Sequence, residues 1–311
     1  MTERRWPRSF HDRLTHKLHT APDIIRIMLS GGFHTWGQDP AWAGEVPRGD
    51  GNLPTLRKGQ AAATWVGHAT YLLQMAGRLI ATDPVWNPRL PGRVRRLTEP
   101  GVPLESVPRL DAVVISHNHY DHMDAWTLKR LPKDTPLFVP AGIKKWMRRR
   151  GLTNVIELDW WETADLDGVK YTFVPSHHWS RRTPWDANKT LWGGWVIEGG
   201  GKRVHFAGDT AYGRWFGEIG RRFPNLDISM MPIGAYDPRW FMSCVHVNPE
   251  EAVQAVLELG ARRMATMHWG TYILTREPVG EPLARVRKAW AATGRPREDL
   301  WDLALGESRV F

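Results

Sequence analysis

The apolar positions of this chain fall into short runs separated by polar turns, the pattern of strands interleaved with helices. Residues 64–66, 71–75 and 79–82 read as successive strands, with Ala76 and Gly77 as the turn between the last two. Residues 111–115, Asp-Ala-Val-Val-Ile, form a β-branched run of the kind expected for a buried strand. A helix is expected over 124–131, then an apolar run at 137–139 and a basic helix over 143–150. Strands are expected at 154–158, 170–174, 203–207 and 227–232, and a last one at 264–267. Before that last strand lies a helix with full punctuation: Asn248 as N-cap, Pro249 at the first position, Glu251 closing a capping-box pattern and Gly260 at the end. Ala252, Val253, Val256 and Leu257 are its expected buried stripe. Such alternation predicts an α/β fold, with chemistry at the carboxyl ends of the strands.

The start of the chain has a different character. Residues 23–29 suit a short helix, but Gly31, Gly32, Gly37, Asp39-Pro40, Pro47, Gly49 and Gly51 punctuate what surrounds it. The expected organisation is an extension over 1–60 that wraps the core, and one catalytic domain over 61–311.

With 311 residues, 42% of them hydrophobic, the chain can bury a large core. Its single cysteine, Cys244, excludes an intrachain disulfide and suits a reducing, cytoplasmic setting. The basic first residues lead into no apolar signal segment, and no run approaches the ~18 apolar residues of a membrane span. A soluble or peripheral protein is therefore expected. The net charge of +9 comes as scattered pairs such as Arg95-Arg96, Arg181-Arg182 and Arg262-Arg263. It favours anionic surfaces or substrates without choosing between phospholipid and nucleic acid. The 18 tryptophans suit deep pockets and membrane interfaces, although core packing is expected for most of them.

Chemistry concentrates in residues 116–124, Ser-His-Asn-His-Tyr-Asp-His-Met-Asp, directly after the β-branched run. In extended chain His117 and His119 point the same way, while Asp121 and His122 turn toward a second point nearby. Three imidazoles and a carboxylate in six residues suit Zn²⁺. This His117-x-His119-x-Asp121-His122 stretch resembles the dinuclear metal signature of the metallo-β-lactamase fold superfamily, whose members are mostly zinc hydrolases built as a four-layer αβ/βα sandwich. The resemblance implies two Zn²⁺ ions. His117, His119 and one histidine of the 175–179 segment, His178 rather than His177, would hold the first. Asp121, His122 and His268 would hold the second, with Asp209 between them. It also implies a position for His68 near the site without metal binding, and Asp83-Pro84 occurs in the superfamily too. Histidine at position 119, where oxygen- or nitric-oxide-reducing di-iron relatives place glutamate, favours zinc hydrolysis over redox chemistry. The expected catalytic residues are Asp121, Asp209 and His246. His246 precedes the helix at 249 by a short turn, near the helix's positive end, where an imidazole can orient a phosphate or give a proton to the leaving alkoxide.

Further stretches narrow the resemblance: 67–70, 115–122, 158–162, 191–195, 232–242, 246–252 and 268–271. Together they resemble the N-acylphosphatidylethanolamine-hydrolysing phospholipase D branch across roughly residues 60–311. What the branch implies is zinc-dependent cleavage of a phospholipid to phosphatidic acid and an N-acylethanolamine. The +9 charge and the tryptophan content add the expectation of peripheral contact with an anionic membrane, and the chain shows no dedicated nucleic-acid module. The oligomeric state stays open, a homodimer included. Three alternatives remain: a lactonase of the same fold acting on a soluble sugar phosphate, an RNA-processing nuclease, and a non-catalytic metal-stabilised scaffold. The completeness of the ligand set argues against the scaffold.

Overall fold

A computed structural model describes residues 4–15, 17, 19–31 and 46–311. Gly32, Gly37, Asp39 and Pro40, part of the punctuation read from the sequence, lie outside the described residues.

The strands at the front of the domain are β1 (Ala62–Gly67), β2 (Thr70–Met75), β3 (Arg78–Thr82), β4 (Ala112–Val114), β5 (Leu137–Pro140) and β6 (Val155–Leu158). They form one sheet in sequence order, antiparallel through β3 and parallel from β3 to β6, and β14 (Ser308–Val310) joins at the β1 edge. The second sheet runs β13-β12-β11-β10-β9-β8-β7. Its strands are β7 (Thr163–Leu166), β8 (Val169–Val174), β9 (Gly194–Gly199), β10 (Lys202–Phe206), β11 (Ile228–Pro232), β12 (Arg263–Met267) and β13 (Leu300–Trp301).

Alternation along the strands produces the layers. In β2, Tyr71 and Leu73 face the core between the sheets, while Leu72 faces the opposite side. The same split sends Ala112 and Val114 inward and Val113 and Ile115 outward. Between the sheets Phe138 stacks on Tyr171 at 3.9 Å between ring centres, and Phe173 meets Trp195 at 4.8 Å. The outer face of the first sheet is covered by α2 (Ala125–Leu128) and α3 (Lys144–Arg148) through Leu128 and Met147. On the second sheet α6 (Pro249–Leu259) packs over β11 and β12, flanked by α4 (Trp215–Arg222) and α7 (Glu281–Ala292). The result is the four-layer αβ/βα sandwich.

Helix α6 carries the expected caps. Asn248 Oδ1 accepts from the Glu251 N–H at 2.8 Å, Glu251 returns the bond to the Asn248 N–H at 3.1 Å, and Gly260 closes the helix at φ 64°. Its buried stripe differs at one place: Leu257 is 38% exposed, and Ala255 and Leu259 are buried. The strand series also runs beyond 264–267, because β13 and β14 follow, and β14 returns to pair with β1. The helices expected over 124–131 and 143–150 shrink to α2 and α3, since each gives way to a turn before Pro132 and Gly151 respectively.

Residues 6–13 run along the edge of the domain where β6 ends. Trp6 Nε1 donates to Glu157 at 2.8 Å, the Phe10 N–H to Asn188 O at 2.7 Å, and Arg13 to Asp159 at 3.1 Å. Farther along, His19 stacks on Phe241, and α1 (Ala21–Leu29) buries Ile27 against Phe241, Met242 and Val245.

Candidate metal centre

Five chain segments bring imidazoles and carboxylates to one point. Strand β4 ends at Val114 and releases the loop with His117, His119, Asp121 and His122; β8 leads to His178, β10 to Asp209 and β12 to His268. His246 arrives between α5 (Arg239–Met242) and α6. Gly208 is required before Asp209: at φ 61° a Cβ there would stand 2.5 Å from Ser116 Cβ, so only glycine lets β10 come this close to the histidine loop.

Two groups of donor atoms face each other. His117 Nε2 lies 2.8 Å from His119 Nδ1, which lies 3.3 Å from His178 Nε2. Asp121 Oδ2 lies 3.5 Å from both His122 Nε2 and His268 Nε2. Asp209 spans the groups. Its Oδ2 is 3.1 Å from His122 Nε2 and 3.9 and 3.8 Å from His117 and His178, while Oδ1 is 3.2 Å from His268. Ligands of a tetrahedral Zn²⁺ stand about 3.3 Å apart, given bonds near 2.0–2.1 Å.

The outer nitrogens fix which way the lone pairs point. Ser116 Oγ donates to Asp83 Oδ2 at 2.5 Å and therefore accepts from His117 Nδ1 at 2.8 Å. His122 Nδ1 donates to Asp83 Oδ2 at 2.7 Å, and His178 Nδ1 to Val245 O at 2.9 Å. In the neutral form each of these three rings carries its proton on Nδ1 and aims the Nε2 lone pair inward. His122 Nε2, His268 Nε2 and Asp209 Oδ1, all facing the centre, are buried without a hydrogen-bond partner among the described residues. Buried polar atoms in such number call for an occupant, and their N/O chemistry suits a divalent cation.

Electrostatics agree. Burial lowers His117 and His178 well below the ordinary histidine value and His119 to about 4, so these rings stay neutral, as ligands must. Burial would also lower His122 and His268, but Asp209 and Asp121 outweigh it, lifting His122 well above the ordinary value and His268 to about 9. Asp121 and Asp209 lie well below the carboxylate range, because neighbouring imidazoles outweigh the opposing effect of burial. The centre demands positive charge, which either protons or metal can supply. Backbone strain gathers here too, with His68, Asp83 and His268 at φ 51°, 30° and 63°.

Residues 78–269 match the family described as the Beta-lactamase superfamily domain. The chain belongs to that superfamily. It is 40% identical over 261 residues to the N-acyl-phosphatidylethanolamine-hydrolyzing phospholipase D 1 of Caenorhabditis elegans, covering 78% of this chain and 72% of that protein. Identity to the mitochondrial N-acyl-phosphatidylethanolamine-hydrolyzing phospholipase D of Saccharomyces cerevisiae is 35% over 260 residues, covering 80% of this chain and 55% of the yeast protein. Among solved structures, Igni18, a metallo hydrolase of the archaeon Ignicoccus hospitalis, superposes with a TM-score of 0.64 at 25% identity, over 81% of this chain and 98% of that one. The protein is a metal-dependent hydrolase of the beta-lactamase superfamily.

All seven residues named from the superfamily signature meet at the centre, with His178 turned in and His177 turned away toward Thr15. His246 stands at its border, Nε2 4.0 Å from Asp209 Oδ2. His68 Nε2 bonds Asp121 Oδ2 at 3.0 Å and so aims that carboxylate. Asp83, read only as part of a recurrent dipeptide, accepts from Ser116 N, Ser116 Oγ and His122 Nδ1. Nothing local marks it for that role, since its partners lie 33 and 39 residues away. No helix among the described residues is long and apolar enough to cross a membrane.

Proposed function

We propose that the protein is a zinc-dependent phosphodiesterase of the phospholipase D type that converts N-acylphosphatidylethanolamine-like lipids to phosphatidic acid and an N-acylethanolamine. The position of Asp209, shared by a three-imidazole group and a group of two imidazoles and a carboxylate, carries this reading. In it His117, His119 and His178 hold one Zn²⁺, Asp121, His122 and His268 hold the other, and Asp209 joins them. Such a pair, when bound, supplies an acidified water and neutralises phosphoryl oxygens. In the reaction a bond forms from water oxygen to phosphorus, the bond from phosphorus to the ethanolamine oxygen breaks, and that oxygen takes up a proton.

The chain's own residues set the rest. His68 holds Asp121 in place through its Oδ2. Burial lowers His246 to about 4, so near neutral pH it is a neutral imidazole whose N–H can hold a phosphoryl oxygen. Beside His119 and Asp121 opens a cavity of about 480 Å³ with Leu90, Val94, Trp179 and Leu274 in its wall and Arg181 at its side, apolar surface for acyl chains beside a cation for phosphate.

A membrane surface as the source of substrate is supported by the rim. Trp179 and α1 share one apolar cluster, and on α1 Ile24, Ile25, Met28 and Leu29 are 42–84% exposed. Trp185, in the 181–187 loop, is 81% exposed. Lys144 and Lys145, with Arg4 and Arg5, line a basic groove at the other end of the N-terminal segment. Basic side chains near an anionic leaflet contribute about 1 kcal/mol each, enough for reversible attachment of a cytoplasmic protein.

Zinc-loaded protein is expected to release N-acylethanolamine from micellar lipid faster than it hydrolyses a short soluble phosphodiester. Turnover of a lactone alone would replace the phosphodiesterase with a lactonase. Sedimentation with vesicles should grow with anionic lipid and weaken with salt. Absence of vesicle binding, with equal turnover of the soluble ester, removes the membrane surface and leaves the hydrolase.

A further inference from the structure

Between Ile115 and the start of α2 the chain has no strand or helix to hold it, yet this stretch supplies four of the seven metal-facing side chains. Its only internal backbone bonds among the described residues form a single turn: the His122 and Met123 N–H groups both donate to His119 O, at 3.2 and 2.9 Å. One turn does not fix the shape of a four-ligand loop. Something outside the loop has to set its shape.

Arg182 reaches it from the far side of the cavity mouth. Its Nη1 donates to Asn118 O at 2.8 Å and to Met123 O at 2.7 Å, with His119 O at 3.4 Å. These two short bonds bracket the residues that include His119, Asp121 and His122, so one guanidinium ties both ends of the turn. The plane of that group is set by aromatic rings, Tyr120 at 4.1 Å and Trp146 at 5.0 Å. Tyr120 completes the loop in return, its hydroxyl donating to Arg182 O at 2.6 Å. Asp186 anchors the backbone behind it, accepting from the Arg182 N–H at 2.8 Å. Every side-chain hydrogen bond of Arg182 among the described residues ends on a carbonyl of the metal loop. Burial lowers Arg182 to about 10, and it is still a cation near neutral pH.

We infer that Arg182 is a positioning residue for the metal centre: it clamps the 118–123 loop in the shape that lets His119, Asp121 and His122 bind metal together. The inference rests on the metal-site reading above. Charge and geometry predict opposite signs, which makes the role testable. A cation beside a metal pair repels it, so if charge were the whole effect, removing Arg182 would tighten metal binding. If the clamp dominates, removing it loosens the ligands and weakens binding, as loss of an outer-shell partner does by about 10–100-fold.

The experiment measures Zn²⁺ affinity by chelator competition, and the visible spectrum of the Co²⁺-substituted protein, in the parent, Arg182→Gln and Arg182→Lys. Melting of the metal-stripped proteins reports folding separately. Arg182→Gln is expected to bind Zn²⁺ tenfold to a hundredfold more weakly and to shift the Co²⁺ bands. Arg182→Lys, which keeps the charge and loses the planar fork, should fall between that variant and the parent. Parent-like or tighter Zn²⁺ binding with an unchanged spectrum, in either folded variant, overturns the clamp, even where the stripped protein melts lower. If Arg182→Gln does not fold, Arg182→Lys decides by the same criterion. A parent protein that takes up neither Zn²⁺ nor Co²⁺ defeats the metal-site reading itself, which distinguishes the two failures.

Discussion

Asp83 Oδ2 stands 2.7 Å from His122 Nδ1, and both side chains are fully buried. The same carboxylate takes the Ser116 N–H and hydroxyl, so one residue aims His122 directly and His117 through Ser116. Burial raises the Asp83 pKa above its ordinary value, and these three donors offset part of that cost. Asparagine at this position keeps the shape but has one acceptor oxygen for three donors. Asp83→Asn is expected to lower Zn²⁺ affinity about 10–100-fold in chelator competition. Unchanged affinity would show that neither imidazole depends on this carboxylate.

Protein purified without added metal should carry close to two equivalents of zinc by elemental analysis if Asp209 joins two sites. His119→Ala takes one donor from the three-imidazole group, and Asp209→Asn removes the charge common to both groups. Both variants should lose metal and activity together. Full activity with one equivalent, or after His119→Ala, sinks the paired site.

His246 is a ligand of neither proposed group, although it stands beside Asp209 and His268 with Nε2 4.0 Å from Asp209 Oδ2. His246→Ala should therefore retain zinc while turnover of the phosphodiester falls about 10²-fold, the scale of a lost proton-transfer or orienting group. An unchanged rate at full zinc content assigns His246 to structure alone.

Acid sensitivity should come partly from His205, a β10 residue away from the metal loop. It is 1% exposed, bonds Ser229 Oγ at 2.8 Å, and burial lowers its pKa from 6.5 to about 3. Between those values the unfolded chain binds a proton that the fold refuses. The stabilisation by neutral His205 is thus complete above about pH 6.5 and is lost toward pH 3, at about 1.4 kcal/mol per unit. His205→Gln should flatten the stability-versus-pH curve of metal-stripped protein between pH 6 and 4 by that slope, read from urea unfolding. A parallel curve would mean that His205 already titrates normally in the fold.

Much of the scaffold was legible because its causes are local. A run of β-branched residues marked β4, and the Asn248–Glu251 pair with Gly260 marked α6, since caps and strand faces depend on neighbours a few residues apart. Edge strand β7 escaped notice because Thr163–Leu166 is partly exposed and lacks an apolar run. Leu257 was misplaced for a related reason. Helical period defines the stripe, but α4 and α7 decide how wide a stripe α6 buries.

By itself the sequence determined the character of the site: His117, His119, Asp121 and His122 lie within six residues, three imidazoles and a carboxylate whose chemistry suits a divalent metal. Only the tertiary structure decided how those residues are held. His68 meets Asp121 across 53 positions, Asp83 meets His122 across 39, and Arg182 reaches Asn118 across 64. Such contacts leave no periodic trace in the chain, because a hydrogen bond between distant segments constrains one residue at each end and nothing between them. The choice of Nδ1 or Nε2 at each ring is likewise a tertiary outcome, set by whichever acceptor the fold brings to the opposite nitrogen.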